Sequence, residues 1–238
     1  MTPTTSQASS PVRLTGELDP NLSRGLWLVK WFLAIPHIVV LAFLAVAFLV
    51  TTVVAGFAIL FTGRYPRPLF DFNVGVMRWN WRVGFYATSA IGTDRYPPFT
   101  LARTDYPADL DVDYPEHLSH GLVLVKSWLL AAPQLIIVGL FTGNLPYWWA
   151  TRDDWSSGYQ STAGISLLGL LVCVAGFFLL FTRTYPPALF DLTMGVNRWV
   201  YRVTAYVALM TDQYPPFRLE QGAHEGDDLG RTPTPTYT

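Results

Sequence analysis

Three long apolar runs dominate the pattern of hydrophobic and polar positions along the chain. The first covers residues 31–62, and His37 is its only side chain that ionises near neutral pH. As one helix this run would be about 48 Å long, whereas the hydrocarbon core of a bilayer is about 30 Å thick. The other runs, 121–142 and 164–182, have the length of single membrane passes. The pattern therefore predicts a mainly α-helical membrane protein.

The segments that follow the first and the third run are nearly the same. Residues 61–86 match residues 181–206 at 14 of 26 positions, where about two matches are expected from ordinary residue frequencies. TDRYPPFTL and TDQYPPFRL then match at seven of nine positions. The chain is therefore predicted to hold two tandem repeats, at 12–104 and 105–220.

The duplication bears on how residues 31–62 fold. LSRGLWLVKWFLAIP begins repeat 1 and LSHGLVLVKSWLLAAP begins repeat 2, but the second copy holds about twenty more residues before the shared FT–YP motif. This favours a transmembrane hairpin of two short helices over about 25–62, equivalent to the membrane helices at about 121–142 and 164–182. A single long helix is the alternative, because AFLAVAFLVTT contains no Gly, Pro or Asn to make a turn.

An amphipathic helix is predicted after each apolar block. The prolines of YPRP and YPPA end one helix and suit the first turn of the next, which predicts helices over about 68–91 and 188–210. Their polar residues share one face, a charge stripe made of Asp71, Gly75, Arg78 and Arg82 in repeat 1 and Asp191, Gly195, Arg198 and Arg202 in repeat 2. An arginine at the middle of a bilayer costs about 2.5–3.5 kcal/mol. We therefore expect these helices to lie along the cytoplasmic interface.

The charge stripe admits three uses. Arg78 and Arg82 can pair with Asp71, with an acid of the other repeat or with helix-end carbonyls. The arginines can instead bind anionic lipid headgroups. A site for a substrate phosphate is the third use.

The polar segments predict a small sheet and two tails. VRLTGEL, FTLARTDYPADLDVDYP and PFRLEQ contain short strand candidates that can form one small antiparallel sheet on the cytoplasmic side and tie the halves together. Residues 1–11 and 221–238 are rich in Ser, Thr, Pro, Gly or Asp, which predicts disorder.

The content and distribution of charged residues predict where the protein lies in the cell. Only 14% of residues are charged, against about 25% in a typical soluble protein, and the net charge of −1 gives no sign of a nucleic-acid partner. Arginines gather between the repeats and after the last apolar run, whereas the aromatic-rich segment 143–163 holds only Arg152 beside Asp153 and Asp154. The positive-inside rule then predicts a multi-pass protein of the cell membrane with cytoplasmic termini.

Few residues of the sequence suggest a catalytic or metal-binding site. Lys30 and Lys126 occupy equivalent positions and are predicted to snorkel to the interface, or alternatively to pair with Asp71 or Asp191. His37 and its counterpart Gln134 suit helix packing better than proton relay or metal binding. No nucleophile elbow and no phosphate loop is present. We therefore expect no enzyme activity, no catalytic or metal site and no cofactor.

The paired motifs resemble a bacterial membrane family, common in actinobacteria, called domain of unknown function 4389. The resemblance rests on GRYPRPLFDFNVGVMRWNWRVGFY and YPPALFDLTMGVNRWVYRVTAY, each preceded by LVK and followed by TDxYPPF. It implies an integral membrane protein and supplies no activity. The sequence thus favours a non-enzymatic membrane scaffold or accessory protein that binds lipid, a protein partner or a second copy of itself. The alternatives are a small transporter or channel component, and an enzyme acting on a lipid-linked substrate through Asp71, Asp191 and the arginines.

Overall fold

The structure is a computed structural model that describes residues 10–143, 166–182, 184–217 and 219. Apart from Ser10, Pro11 and Gly143, both predicted tails and the aromatic-rich segment lie outside the described residues. The described chain forms six α-helices and two strands. In chain order they are β1 Val12–Gly16, α1 Leu26–Thr62, α2 Arg67–Val83, β2 Ala108–Val112, α3 His120–Val125, α4 Ala132–Thr142, α5 Leu167–Thr182 and α6 Pro187–Val207. Two π-helical turns, Gly84–Thr88 and Lys126–Leu130, extend α2 and connect α3 to α4.

One uninterrupted helix, α1, covers the first apolar run, so the predicted hairpin over 25–62 is wrong. Pro36 lies inside this 37-residue helix without ending it. The helix stops where the first glycine after the run occurs: Gly63 adopts a left-handed conformation with φ of 68°, and its N–H donates to the carbonyl of Ile59 at 2.8 Å. The apolar stretch inside the run stays helical because nothing in it supplies a turn.

The helical hairpin of repeat 1 is formed instead by α1 and α2. The two helices are antiparallel, since His37 near the start of α1 accepts a hydrogen bond from Trp79 Nε1 at 3.1 Å, and Thr51 further along α1 donates to Asn73 at 2.7 Å. In repeat 2 the hydrogen bond from Trp199 Nε1 to Gln134 Oε1, at 2.7 Å, joins α6 to α4. The segments α3, α4 and α5 therefore take the place that α1 occupies in repeat 1.

Helices α2 and α6 lie inside the protein and not on its surface, which differs from the predicted interfacial placement. Most of their side chains are buried, because α1 covers one side of α2 and strand β2 covers the other. Their observed starts lie one residue from those predicted, but α2 ends at Val83, or at Thr88 with its π-helical turn, before the predicted end at about 91.

The sheet contains two antiparallel strands, β1 and β2, with Leu14 opposite Leu110 at its centre. The third candidate, PFRLEQ, forms no strand in those of its residues that the structure describes. Strand β1 belongs to repeat 1 but packs on α6 of repeat 2, whereas β2 belongs to repeat 2 and packs on α2 of repeat 1. The sheet thus joins the two repeats by an exchange of strands.

Candidate functional site

A buried lysine near the start of α1 binds the end of its own repeat. Lys30 is 1% exposed. Its Nζ donates to the carbonyl of Thr93 at 2.7 Å and lies 2.8 Å from Asp94 Oδ1. The other carboxylate oxygen of Asp94 accepts from the backbone N–H of Ser23 at 2.6 Å. We call this arrangement the lysine clamp.

Repeat 2 contains the same clamp. Lys126 Nζ contacts the carbonyl of Thr211 and lies 2.8 Å from Asp212 Oδ1. The N–H of Ser119 donates to Asp212 Oδ2 at 2.8 Å. The predicted snorkelling of the two lysines is wrong, and so is their pairing with Asp71 or Asp191. The ammonium groups turn inward because each finds a carboxylate and a carbonyl within the protein.

The lysine clamp lowers the pKa of Asp94. Burial disfavours the carboxylate, but the hydrogen bonds from Lys30 and Ser23 outweigh burial and hold the pKa of Asp94 below its ordinary value. Since the folded-state pKa is lowered, the contribution of Asp94 to stability is present at neutral pH. It is lost as the pH falls toward the lowered pKa.

The arginines of the repeat 1 charge stripe bind the loop and strand beneath α2. Arg78 donates to the carbonyl of Leu110 at 2.9 Å and lies 3.0 Å from Asp109 Oδ1. Arg82, fully buried, donates to the carbonyl of Ala102 at 2.9 Å. Asp71 is exposed and takes no part in these contacts. The predicted structural use of the arginines is therefore present, with Asp109 and backbone carbonyls in place of Asp71.

In repeat 2 the stripe is also buried. Arg198 donates to the carbonyl of Leu14 at 3.1 Å, so it meets β1 as Arg78 meets β2. Arg202 and Asp191 are less than a tenth exposed. The headgroup role of the stripe stays a prediction, but the described arginines of the stripe face the protein interior.

His37 and Gln134 have equivalent roles in helix packing. Each accepts a hydrogen bond from the indole N–H of a tryptophan on the neighbouring amphipathic helix. The His37 ring also stacks on Phe99, with 3.9 Å between ring centroids. The amide of Gln134 donates to the carbonyl of Pro215 at 3.0 Å. Each polar side chain therefore fastens its repeat's YPPF segment to the apolar helices.

One cluster of accessible charged side chains lies on the sheet. Arg13 of β1 is 2.8 Å from Asp111 and 2.7 Å from Asp113, and Arg103 is 2.7 Å from Asp111. Burial raises the pKa of Asp111, yet the hydrogen bonds from Arg13 and Arg103 prevail and leave this pKa below its ordinary value. These residues form the charged surface of the sheet.

A cavity of about 350 Å³ lies between the repeats. The side chain of Asn80 donates to the hydroxyl of Tyr201 at 2.8 Å on its wall. Leu41 and Phe48 of α1 and Asn197 of α6 also line it. None of the described residues around the cavity carries a charge. The cavity therefore suits a neutral group that accepts or donates hydrogen bonds.

These features define a class: a duplicated, mainly helical protein in which Arg78 and Arg198 are buried between the repeats and the first helix is unusually apolar. Within the described part of the chain, α1 alone is long and apolar enough to cross a membrane, while α4 and α5 are shorter apolar helices. The chain belongs to the family described as Domain of unknown function (DUF4389), whose profile matches residues 24–100 and 161–218, together more than half of its length. The two matched segments confirm the resemblance and the tandem duplication. No curated protein and no solved structure matches the chain in the corresponding comparisons.

Proposed function

We propose that this protein is a non-enzymatic membrane scaffold or accessory protein at the cytoplasmic face of the cell membrane, with bilayer lipid as its first partner. One observation carries the proposal: the outer face of α1 is apolar, and none of the described residues covers it. Phe32, Phe43 and Phe61 are 73%, 75% and 80% exposed. An exposed apolar surface of this extent requires a partner, and lipid is the partner for a helix without charged residues on that face.

The polar side chains of the described residues support a structural role. The two lysine clamps and the contacts of Arg78 and Arg198 hold one segment of the protein to another. These contacts hold the segments in fixed positions. Among these four described cations, none faces an open site. We infer that the protein acts through its outer surface, on which lipid or a partner protein assembles.

The proposal is tested by membrane extraction of the full-length protein. We expect it to stay with the membrane fraction in high salt and in alkaline carbonate and to enter solution only with detergent, since apolar burial and not charge holds it. Purified protein should also float with phosphatidylcholine vesicles that contain no anionic lipid. A protein that is monodisperse in buffer without detergent would contradict the proposal.

A second candidate, a small transporter or channel component, is favoured by the cavity between the repeats. A path for a polar solute requires hydrogen-bonding groups on its wall, and Asn80 and Tyr201 provide them in this cavity. If this candidate holds, vesicles that contain the purified protein should take up a small neutral solute such as glycerol faster than empty vesicles, and Asn80→Trp should slow the uptake by filling the cavity. Equal uptake with and without inserted protein would leave the scaffold as the better candidate.

A further inference from the structure

The apolar helices of the two repeats lie antiparallel to each other. Near the end of α1, Gly56 faces Val123 of α3, where an added Cβ would lie 3.8 Å from the valine side chain. The N–H of Leu118, just before α3, donates to the carbonyl of Gly63 at 2.9 Å.

The opposite ends meet in the same way. Gly176 of α5 faces Trp27 at the start of α1, where an added Cβ would lie 3.1 Å from the indole. The sequence alignment of the repeats makes Gly176 the equivalent of Gly56, and Val123 the equivalent of Trp27. The two contacts are therefore equivalent. An approximate two-fold axis, perpendicular to the helices, relates one contact to the other.

Three layers are stacked along this axis. Helices α1 and α3–α5 form the first layer, α2 and α6 the second, and the sheet the third. Asn73 and Trp79 of α2 bind α1, whereas Arg78 and Arg82 on the other side of α2 bind strand β2 and the loop before it. The sheet therefore lies beside the apolar helices, separated from them by one helix, and not beyond their ends.

The sheet stands level with the middle of α1. Arg78, which binds Leu110, is next to Met77 on α2, and Met77 lines the same cavity as Leu41 and Phe48 of α1. If α1 crossed the bilayer upright, the charged surface of the sheet would be level with the hydrocarbon core. Arg13 and Arg103 keep 42% and 60% of their side chains exposed, and an exposed charge at that depth is costly.

The most exposed phenylalanines of α1 point away from the sheet. At 100° per residue, Phe32, Phe43 and Phe61 lie within about 20° of one another on α1, opposite the buried His37 and Ile59. On α5, Phe177 and Phe181 are similarly exposed, at 61% and 65%. The first layer thus presents an apolar face on the side away from the sheet, and the third layer presents the charged surface of the sheet.

We propose that the first layer lies in the plane of the membrane, sunk into one leaflet, with the two-fold axis along the bilayer normal and the sheet in the aqueous phase. This rests on the proposed membrane function and replaces the multi-pass arrangement expected from run lengths. The lipid surface is recognised by the apolar face of α1 and α5, and neither helix crosses to the far side. Both ends of α1 are then on the same side of the membrane.

The ends of α1 provide the test. Single cysteines replace the exposed Arg24 or Arg64 in a background where the exposed Cys173 is alanine. Intact cells are treated with a membrane-impermeant maleimide before and after permeabilisation. We expect both sites to be protected in intact cells and labelled after permeabilisation. Labelling of one site alone in intact cells would overturn the in-plane arrangement, because it places the ends of α1 on opposite sides.

Depth measurement gives an independent readout. Nitroxide labels at Phe32→Cys, Phe43→Cys and Phe61→Cys in phosphatidylcholine–phosphatidylglycerol vesicles should report the same immersion depth. A label at Asp113→Cys, on the charged surface of the sheet, should report none. A label at position 43 near the bilayer centre, with positions 32 and 61 near opposite surfaces, would refute the proposal.

The two proposals fail differently. A membrane-bound protein with the ends of α1 on opposite sides would refute only the in-plane arrangement. A protein that is soluble without detergent would refute the membrane function and the arrangement together. Labelling of both ends in intact cells would keep the arrangement and overturn only the cytoplasmic side.

Discussion

Asp94→Asn is expected to destabilise the protein by about 3–5 kcal/mol, because it leaves a buried ammonium without its counter-charge. The Lys30 side chain is 2% exposed and the Asp94 side chain 19%. The asparagine can still accept a hydrogen bond but carries no charge. Since the remaining charge is the more deeply buried partner, Asp94→Asn should cost more than Lys30→Met, which leaves the more accessible aspartate behind.

The free energy of unfolding in mild detergent, followed by circular dichroism, measures this effect. Asp71→Asn is the matched control, because Asp71 is exposed and a surface change of this kind usually alters stability by less than about 0.5 kcal/mol. The double variant Lys30→Met/Asp94→Asn should recover part of the loss, since no charge remains buried. Equal stability of Asp94→Asn and Asp71→Asn would show that the clamp does not stabilise the fold.

Arg78→Met is expected to cost about 2–4 kcal/mol and to leave lipid binding unchanged. The substitution removes the donors to the carbonyls of Leu110 and Leu101 and the ion pair with Asp109, and an unsatisfied buried acceptor costs about 1–3 kcal/mol. Arg103→Met is the control, because its side chain is 60% exposed and exposed ion pairs contribute at most about 1 kcal/mol.

Vesicle flotation decides between the structural and the lipid use of the stripe. If Arg78 fastens α2 to the sheet, Arg78→Met lowers the unfolding free energy, and its partition into vesicles with phosphatidylglycerol equals that of the parent protein. If the stripe binds headgroups, partition into these vesicles falls while stability is kept. The second result would show that Arg78 is accessible to lipid and that its hydrogen bond to Leu110 is dispensable.

The duplication and the starts of α2 and α6 could be predicted because they depend on local sequence. The prolines of YPRP and YPPA suit the first turn of a helix, and the observed starts at Arg67 and Pro187 lie one residue from the predicted ones. Strand β1 was also found from its alternating pattern. Such features require no knowledge of which segments meet in space.

The pairings could not be predicted because they depend on tertiary contacts. Lys30 and Asp94 are 64 positions apart, and the stripe offered Asp71 as a nearer partner for the cations. A signal was nevertheless present, because both repeats contain the lysine of LVK and the aspartate of TDxYPP. The predicted hairpin within 25–62 is wrong for another reason. The extra residues of repeat 2 suggested that repeat 1 had lost a loop between two helices, although AFLAVAFLVTT holds no Gly, Pro or Asn to make a turn.

The exchange of strands has a consequence for how the chain comes apart. Arg78 in the first repeat is bound to a strand from the second, and Arg198 in the second to a strand from the first. Each repeat is completed by a strand from the other repeat, so we expect the two repeats to unfold together. Translation must pass β2, at the start of the second half, before the first half can be completed. A chain with a single repeat could obtain the missing strand only from a second copy of itself.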